Sequence, residues 1–349
     1  MKKEHILVIR FSALGDVAMV VPVVYAVAKT HPDVHITVLS RPFARPLFDG
    51  LASNISFMEA DLKGEYHGVK GLNALFRRLA SKHFTKVADL HAVLRSDYLR
   101  MRFNLGHYRV EHIDKHRQQR RQLISQKNRV MEPLPTSFDN YADVFRRLGY
   151  DADLSLFTSI FPPGGGDLSL LPDDIVSKQD CRPWIGVAPF AAHAGKVYPP
   201  EKMEQVIALT LQKHPTATIF LFGRGEQEAK HFGLWCQRWP QCIDTSKVLD
   251  GLNQELILMS HLSVMLSMDS ANMHLASITA TPVVSVWGAT HPYAGFTGWR
   301  QEQRNMVQVD TLDCRPCSIF GQKACLRGDM ACMAQISPEQ IAERIEDNL

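Results

Sequence analysis

Apolar residues fill positions 5–10 almost without a break and, after the loop Phe11-Ser-Ala-Leu-Gly-Asp16, resume in a stretch that predicts a buried helix to residue 29. Strand, loop and helix thus open the chain. Short apolar runs over 34–39 and 86–90 predict two more strands, the second leading into His91-Ala-Val-Leu-Arg95-Ser96. The alternation breaks at 161–174, where a Pro/Gly cluster fits neither the helical nor the strand period and reads as an interdomain linker. It resumes with strands over 184–188, 218–222, 264–267 and 283–286, and with helices over 200–213, after Glu226 and from about Ala271. Ser337-Pro338-Glu339 offers an N-cap, a proline at the first helical position and an early acid, which predicts a closing helix over 338–348. Strands alternating with helices imply parallel sheets, so the expected class is α/β, with two doubly wound, Rossmann-like halves facing a central cleft. The expected division is 1–165, 166–336 and a closing helix at 337–349.

A length of 349 residues agrees with two domains at about 150 residues each. With 45% hydrophobic and 21% charged residues, disordered and collagen-like chains are excluded. The longest early apolar run, 17–28, falls short of the roughly 20 residues of a membrane span. Arg10 and Asp16 interrupt any signal-peptide core, so the expectation is a cytoplasmic protein that begins at Met1. The net charge of +3 argues against a dedicated nucleic-acid binder, yet residues 95–129 hold ten Lys or Arg against Asp97, Glu111 and Asp114. That segment is either a solvated surface or a docking site for something acidic.

Ligands of open α/β sheets sit beyond the carboxyl ends of strands, which selects the loops carrying Ser12 to Asp16, Arg95-Ser96, 189–196, Gly223 to Glu226, 269–274 and 288–291. Asp16 opens a helix, where a carboxylate serves equally as an N-cap or as a base. Asp269-Ser-Ala-Asn-Met-His274 also opens a helix and presents backbone N–H groups to an anion, with Ser270 and His274 on one face; a capping Asp beside a structural histidine fits the same residues. Lys196 lies in a loop after a strand, as a ligand for phosphate or as an ordinary surface lysine. Gly223-Arg-Gly225-Glu226 invites a dinucleotide reading, but that fingerprint needs a small residue where this chain has Glu228. Asp151-Ala-Asp153 spells a metal-type D-x-D away from any strand end and reads as surface. Cys314, Cys317, Cys325 and Cys332 are spaced C-x2-C-x7-C-x6-C, the ligand count of a structural zinc site, with free thiols or a redox pair as the alternatives.

Residues 6–17, Val87-Ala-Asp-Leu-His-Ala-Val-Leu-Arg-Ser96, Met268-Asp-Ser-Ala-Asn-Met-His-Leu-Ala276 and Thr281-Pro-Val-Val-Ser-Val-Trp-Gly288 together resemble glycosyltransferase family nine, the ADP-heptose:lipopolysaccharide heptosyltransferases. The resemblance implies a GT-B fold with an N-terminal acceptor domain, a C-terminal nucleotide-sugar domain and a closing helix packed back on the first. It implies an inverting transfer that requires no cofactor, with Asp16 as base, Lys196 on the donor diphosphate and Glu226 near an acid that holds the ribose. Asp269, Ser270, Ala271 and His274 match the diphosphate segment, and Ser12, Arg95 and Ser96 fall on the acceptor side. Ala271 stands where the family usually has glycine, and His91 where glutamine is frequent.

The expected partners are a nucleotide-sugar donor such as ADP-heptose and an anionic glycolipid acceptor, with peripheral contact at the cytoplasmic face of the inner membrane and no nucleic acid. The rival reading is a non-catalytic module that grips nucleic acid or an anionic polymer through the basic segment and the cysteines. It gives no account of the paired α/β halves or of Asp16.

Overall fold

A computed structural model describes residues 4–349. They form two compact units, one containing the chain up to Lys115 together with Pro135–Ile160, the other His116–Leu134 together with Phe161–Leu349. The chain passes into the second unit for 116–134, returns, and leaves for good just before the Pro/Gly cluster. The cluster itself belongs to the second unit, where the Gly166 N–H donates to Ser260 Oγ at 2.9 Å.

The first unit is built on β1 (His5–Ile9), β2 (His35–Ser40), β3 (Ile55–Glu59), β4 (Lys86–Asp89) and β5 (Arg109–His112), all parallel, in the order β3-β2-β1-β4-β5. The second is built on β6 (Trp184–Ala188), β7 (Thr218–Leu221), β8 (Cys242–Asp244), β9 (Val264–Met268), β10 (Val283–Trp287) and β11 (Met306–Gln308), in the order β11-β10-β9-β6-β7-β8. Leu7, Ile9 and Val87 of the first sheet pack against Leu72, Leu75, Leu99 and Phe103. Ile185, Val187, Ile219 and Val264 of the second pack against Val206, Ile207 and Trp235.

The helix expected to run to residue 29 is two helices, Leu14–Ala18 and Val20–Thr30. Pro22 explains the break, because it lacks an N–H and is tolerated only in a first helical turn, which restarting at Val20 provides. At the other end, Ser337 caps Pro338–Glu346 by accepting the Gln340 N–H. This closing helix belongs to the second unit. Its Ile341 and Ile345 enter that unit's core against the helix Pro200–Lys213, each worth about 1.5–3 kcal/mol of apolar burial. Among the described residues no helix is long and apolar enough to cross a membrane.

Candidate functional site

In each sheet the strand order reverses once, between β1 and β4 in the first unit and between β6 and β9 in the second, and at each reversal the loops after the two strands diverge and leave a crevice within that unit. The residues singled out from the sequence lie mostly in these four loops.

In the first unit Arg10 follows β1 and is almost fully buried. Its guanidinium donates to the Leu90 carbonyl at 2.7 Å and pairs with Asp16 Oδ2 at 2.6 Å. The same Oδ2 accepts the Ala13 N–H at 3.0 Å, while the Asp16 side chain keeps 30% exposure. Tyr141 donates its hydroxyl to the Asp16 carbonyl at 3.3 Å. Asp16 is thus both a helix-starting acid and a carboxylate fixed in direction by a buried cation. Across the crevice, Asp89 is fully buried and its Oδ1 accepts the N–H groups of His91 and Ala92 at 2.9 and 3.0 Å, which folds the loop after β4. His91 Nδ1 accepts the Phe11 N–H at 3.4 Å, leaving the ring proton on Nε2. Burial first, then the charges of Arg10 and Lys115, hold the His91 imidazole down at about 3 from an ordinary 6.5.

This has a measurable consequence. A ring that is neutral when folded and protonated when unfolded costs stability as the pH drops below 6.5, and the loss levels off only near the folded value of about 3. Melting temperature should therefore fall between about pH 7 and about pH 4 more steeply for the parent than for His91→Gln. His291, lowered to about 4 by burial and by Arg315, keeps part of the slope in the variant. Equal slopes in both proteins would contradict the assignment.

His91 also lines a cavity of about 470 Å³ with Phe11, Ser12, Leu62, Val93 and Leu94, and with three cations, Arg41, Lys63 and Arg95. No carboxylate lines it, so it suits an anionic ligand. Ser12 and Arg95 are placed here as the sequence suggested. Ser96 is not: its side chain is fully buried and its hydroxyl accepts the Val93 N–H at 3.0 Å, starting the helix Leu94–Leu105. Asp153 of the D-x-D is likewise a cap, accepting the Ser155 N–H.

In the second unit Lys196 ends a short 3-10 turn after β6, and its Nζ pairs with Asp269 Oδ2, beyond β9, at 2.9 Å. Thr290 donates to the same oxygen at 2.8 Å. The helix Ala271–Ile278 starts here, and Ser270 at its N-cap makes no side-chain bond to the first turn. Ser267 donates to the Met268 carbonyl, so the 3.1 Å contact between the two serines has Ser270 as donor. Ala271 begins the helix and His274 is buried one turn in. An ammonium and a helix N-terminus without a side-chain cap thus share one switch point, an arrangement that binds phosphate groups.

Partners that sequence reasoning missed hold this geometry. Arg315 is buried and donates to the carbonyls of Gly288, Thr290 and Val309 at 2.9, 3.0 and 2.9 Å, fixing the loop that supplies Thr290. Gly321, at φ +81°, lies under the Lys196 stem, and a Cβ there would stand 2.7 Å from Lys196 Cγ. Gly321→Ala should therefore weaken binding of a phosphate-bearing ligand at this switch point by about 1–2 kcal/mol through backbone strain and a displaced lysine. Calorimetry checks it, and unchanged affinity would show that the stem is not seated there.

Glu226 is 89% exposed and pairs with Lys230 at 3.3 Å. Two residues on, Glu228 Oε2 is buried without a hydrogen-bond partner beneath the turn at Gly223, where a Cβ would come within 2.3 Å of it. Burial pushes the Glu228 carboxyl up, opposed by the Arg224 N–H. The sequence signal was Gly223 itself, whose missing side chain makes room for a carboxylate rather than for a dinucleotide.

The four tail cysteines line one small cavity of about 10 Å³ with Gly195 and Ala289. All are free thiols, and among the described residues no three His, Cys, Asp or Glu side chains are placed to hold a metal ion. Burial pushes the Cys317 thiol up and the Cys332 thiol to about 11, whereas for Cys325 burial is outweighed by the backbone groups of Met330, Arg327 and Gly328, which hold its thiol below the ordinary value. The sequence spacing thus brings Cys314, Cys317, Cys325 and Cys332 to one place.

The basic segment is not one element. It divides between the units, and Arg100 is committed to Asp97 at 2.9 Å and Arg129 to the Arg315 carbonyl at 2.6 Å.

The family model described as glycosyltransferase family 9 (heptosyltransferase) matches residues 72–324. Among solved structures, E. coli heptosyltransferase WaaC with ADP matches with a TM-score of 0.66 and 15% identity, over 99% of this chain and 100% of that one. A glycosyl transferase family 9 protein from Veillonella parvula matches at 0.70 and 18%, over 100% and 98%. E. coli ADP-heptose lps heptosyltransferase II matches at 0.64 and 16%, over 99% and 98%. No curated protein matches the chain. The structural likeness agrees with two parallel-sheet α/β domains of the GT-B kind.

Proposed function

The chain belongs to glycosyltransferase family 9, and on that premise we propose that it transfers a heptose, with inversion, from ADP-heptose to an anionic glycan acceptor of the lipopolysaccharide core. The observation that carries this reading is the Lys196–Asp269 pair beside the start of the helix Ala271–Ile278, at the switch point of the second sheet. Two of the structures that the chain resembles are named for ADP or ADP-heptose, which favours adenine as the base.

In this reading the first unit, rather than 1–165 as a whole, is the acceptor domain, and the second unit, which takes in 116–134 and the closing helix, is the donor domain. The cation-lined cavity of the first unit takes the phosphate or carboxylate groups of the acceptor, held by Arg95, Arg41 and Lys63, with Ser12 at its wall. Asp16 accepts the proton of the acceptor hydroxyl as that oxygen attacks the anomeric carbon. The bond from that carbon to the diphosphate breaks on the opposite face, which inverts the centre. Charge growing on the leaving diphosphate meets the Lys196 ammonium and the N–H groups beginning at Ala271. The ribose falls to the acids after β7, where the Glu228 carboxyl, buried with one oxygen unpaired, supplements the exposed Glu226. The enzyme works in the cytoplasm, with peripheral contact to the inner membrane because a lipid-linked acceptor resides there.

A thermal-shift panel separates this from the binding-module and dinucleotide readings. ADP and ADP-heptose should raise the melting temperature by several degrees, about 3 kcal/mol at 100-fold saturation, with little response to NAD or a short oligonucleotide. Stabilisation by the oligonucleotide alone would overturn the proposal.

A further inference from the structure

The helix Leu94–Leu105 is apolar on two sides. Leu99 and Phe103 enter the core of the first unit. On the other side Leu94, Met101 and Leu105 are 89%, 49% and 71% exposed, with half-buried Tyr98 between the first two. At 100° per residue these four fall within about 60° of one another, a straight stripe about 16 Å long. Single exposed leucines are ordinary on a protein surface, whereas an aligned row points to something that covers it.

The row begins at the cation-lined cavity, because Leu94 is one of the cavity's lining residues along with Arg41, Lys63 and Arg95. Tyr98 donates to Asn73 at 2.8 Å, and one turn before Asn73 on the helix Gly68–Ala80 stands Val69, 64% exposed. Arg95 and Arg102 share one flank of the stripe, with the Arg102 guanidinium held by Asn73 and Tyr98 over the Phe76 ring, while Asp97 on the other flank is paired with Arg100.

We propose that this stripe is the surface by which the protein lies on an anionic lipid bilayer, so that the adjoining cavity opens at the depth of the charged headgroups. The inference rests on the reading of the acceptor as a lipid-linked anionic glycan. Aliphatic side chains of such a row enter the acyl boundary while neighbouring cations stay with the phosphates. A second protein fits less well, since three exposed side chains offer a few hundred Å², against about 800 Å² per partner in a standard interface. The stripe lies on an element apart from residues 116–134, which belong to the second unit.

Co-sedimentation of the full chain with phosphatidylglycerol-containing and with pure phosphatidylcholine vesicles tests this. The parent should bind the anionic vesicles. Met101→Glu/Leu105→Glu should bind them at least about tenfold more weakly, with ADP affinity and melting temperature near the parent's. Arg117→Glu/Arg121→Glu, on the helix Arg117–Leu123, should retain most of the binding. A parent that ignores anionic vesicles, a Met101/Leu105 variant that binds like the parent, or a parent dimer that this variant dissociates would each overturn the proposal. ADP binding followed in the same samples reports on the transferase reading separately.

Discussion

Asp16→Asn should lower turnover by about 100- to 10,000-fold, or roughly 3 to 5 kcal/mol of activation free energy, while donor affinity hardly changes. Asparagine has the same shape, and its oxygen still accepts the Ala13 N–H and the Arg10 guanidinium that meet at Asp16 Oδ2. What it lacks is a site for the acceptor's proton. Some stability should be lost with the charge facing buried Arg10, but asparagine is itself a good residue at a helix start, so the fold persists. The expected signature is a low kcat at saturating donor and acceptor with an unchanged Kd for ADP. A variant that turns over within a few-fold of the parent would return Asp16 to the role of a cap and require another carboxylate as base.

Lys196→Ala should weaken ADP binding on the order of 100-fold, about 3 kcal/mol, and lower kcat/KM by more, because in the role proposed for it the ammonium serves the diphosphate in the ground state and further as its charge grows. It should also lower the melting temperature, since Asp269 is 4% exposed and loses its counter-charge. The two effects can be separated. In Lys196→Ala/Asp269→Asn the buried charge is gone and Thr290 still donates to the side-chain oxygen, so melting should recover while ADP affinity does not. Recovery of both would mean that the lysine only neutralises Asp269.

Which parts of the fold could be read from the sequence follows from where each strand sits. β1, β2, β4, β6, β7, β9 and β10 are interior strands and announce themselves as apolar runs. The strands that escaped, β3, β5, β8 and β11, are the four sheet edges. An edge strand has a neighbour on one side only, and β5, Arg109-Val-Glu-His112, is largely polar for that reason. The site divides in a similar way. Asp16, Lys196 and Asp269 could be singled out as candidates because they stand in loops after strands, as the structure places them. Their supports were not, because Arg10, Thr290 and Arg315 act across separations of 21 to 80 residues that no local pattern records. Ser96 was misplaced for a local reason, since a serine after a strand is as apt to start a helix as to meet a ligand.

The account stands or falls on the reaction itself, followed by proton NMR with ADP-heptose and a soluble lipopolysaccharide-core acceptor. The parent should release ADP in step with a new glycosidic linkage of opposite anomeric configuration to the donor, and Asp16→Asn should form it at least about 100-fold more slowly. A product that retains the donor's configuration, or a protein that binds ADP-heptose and acceptor yet forms no linkage, would contradict it.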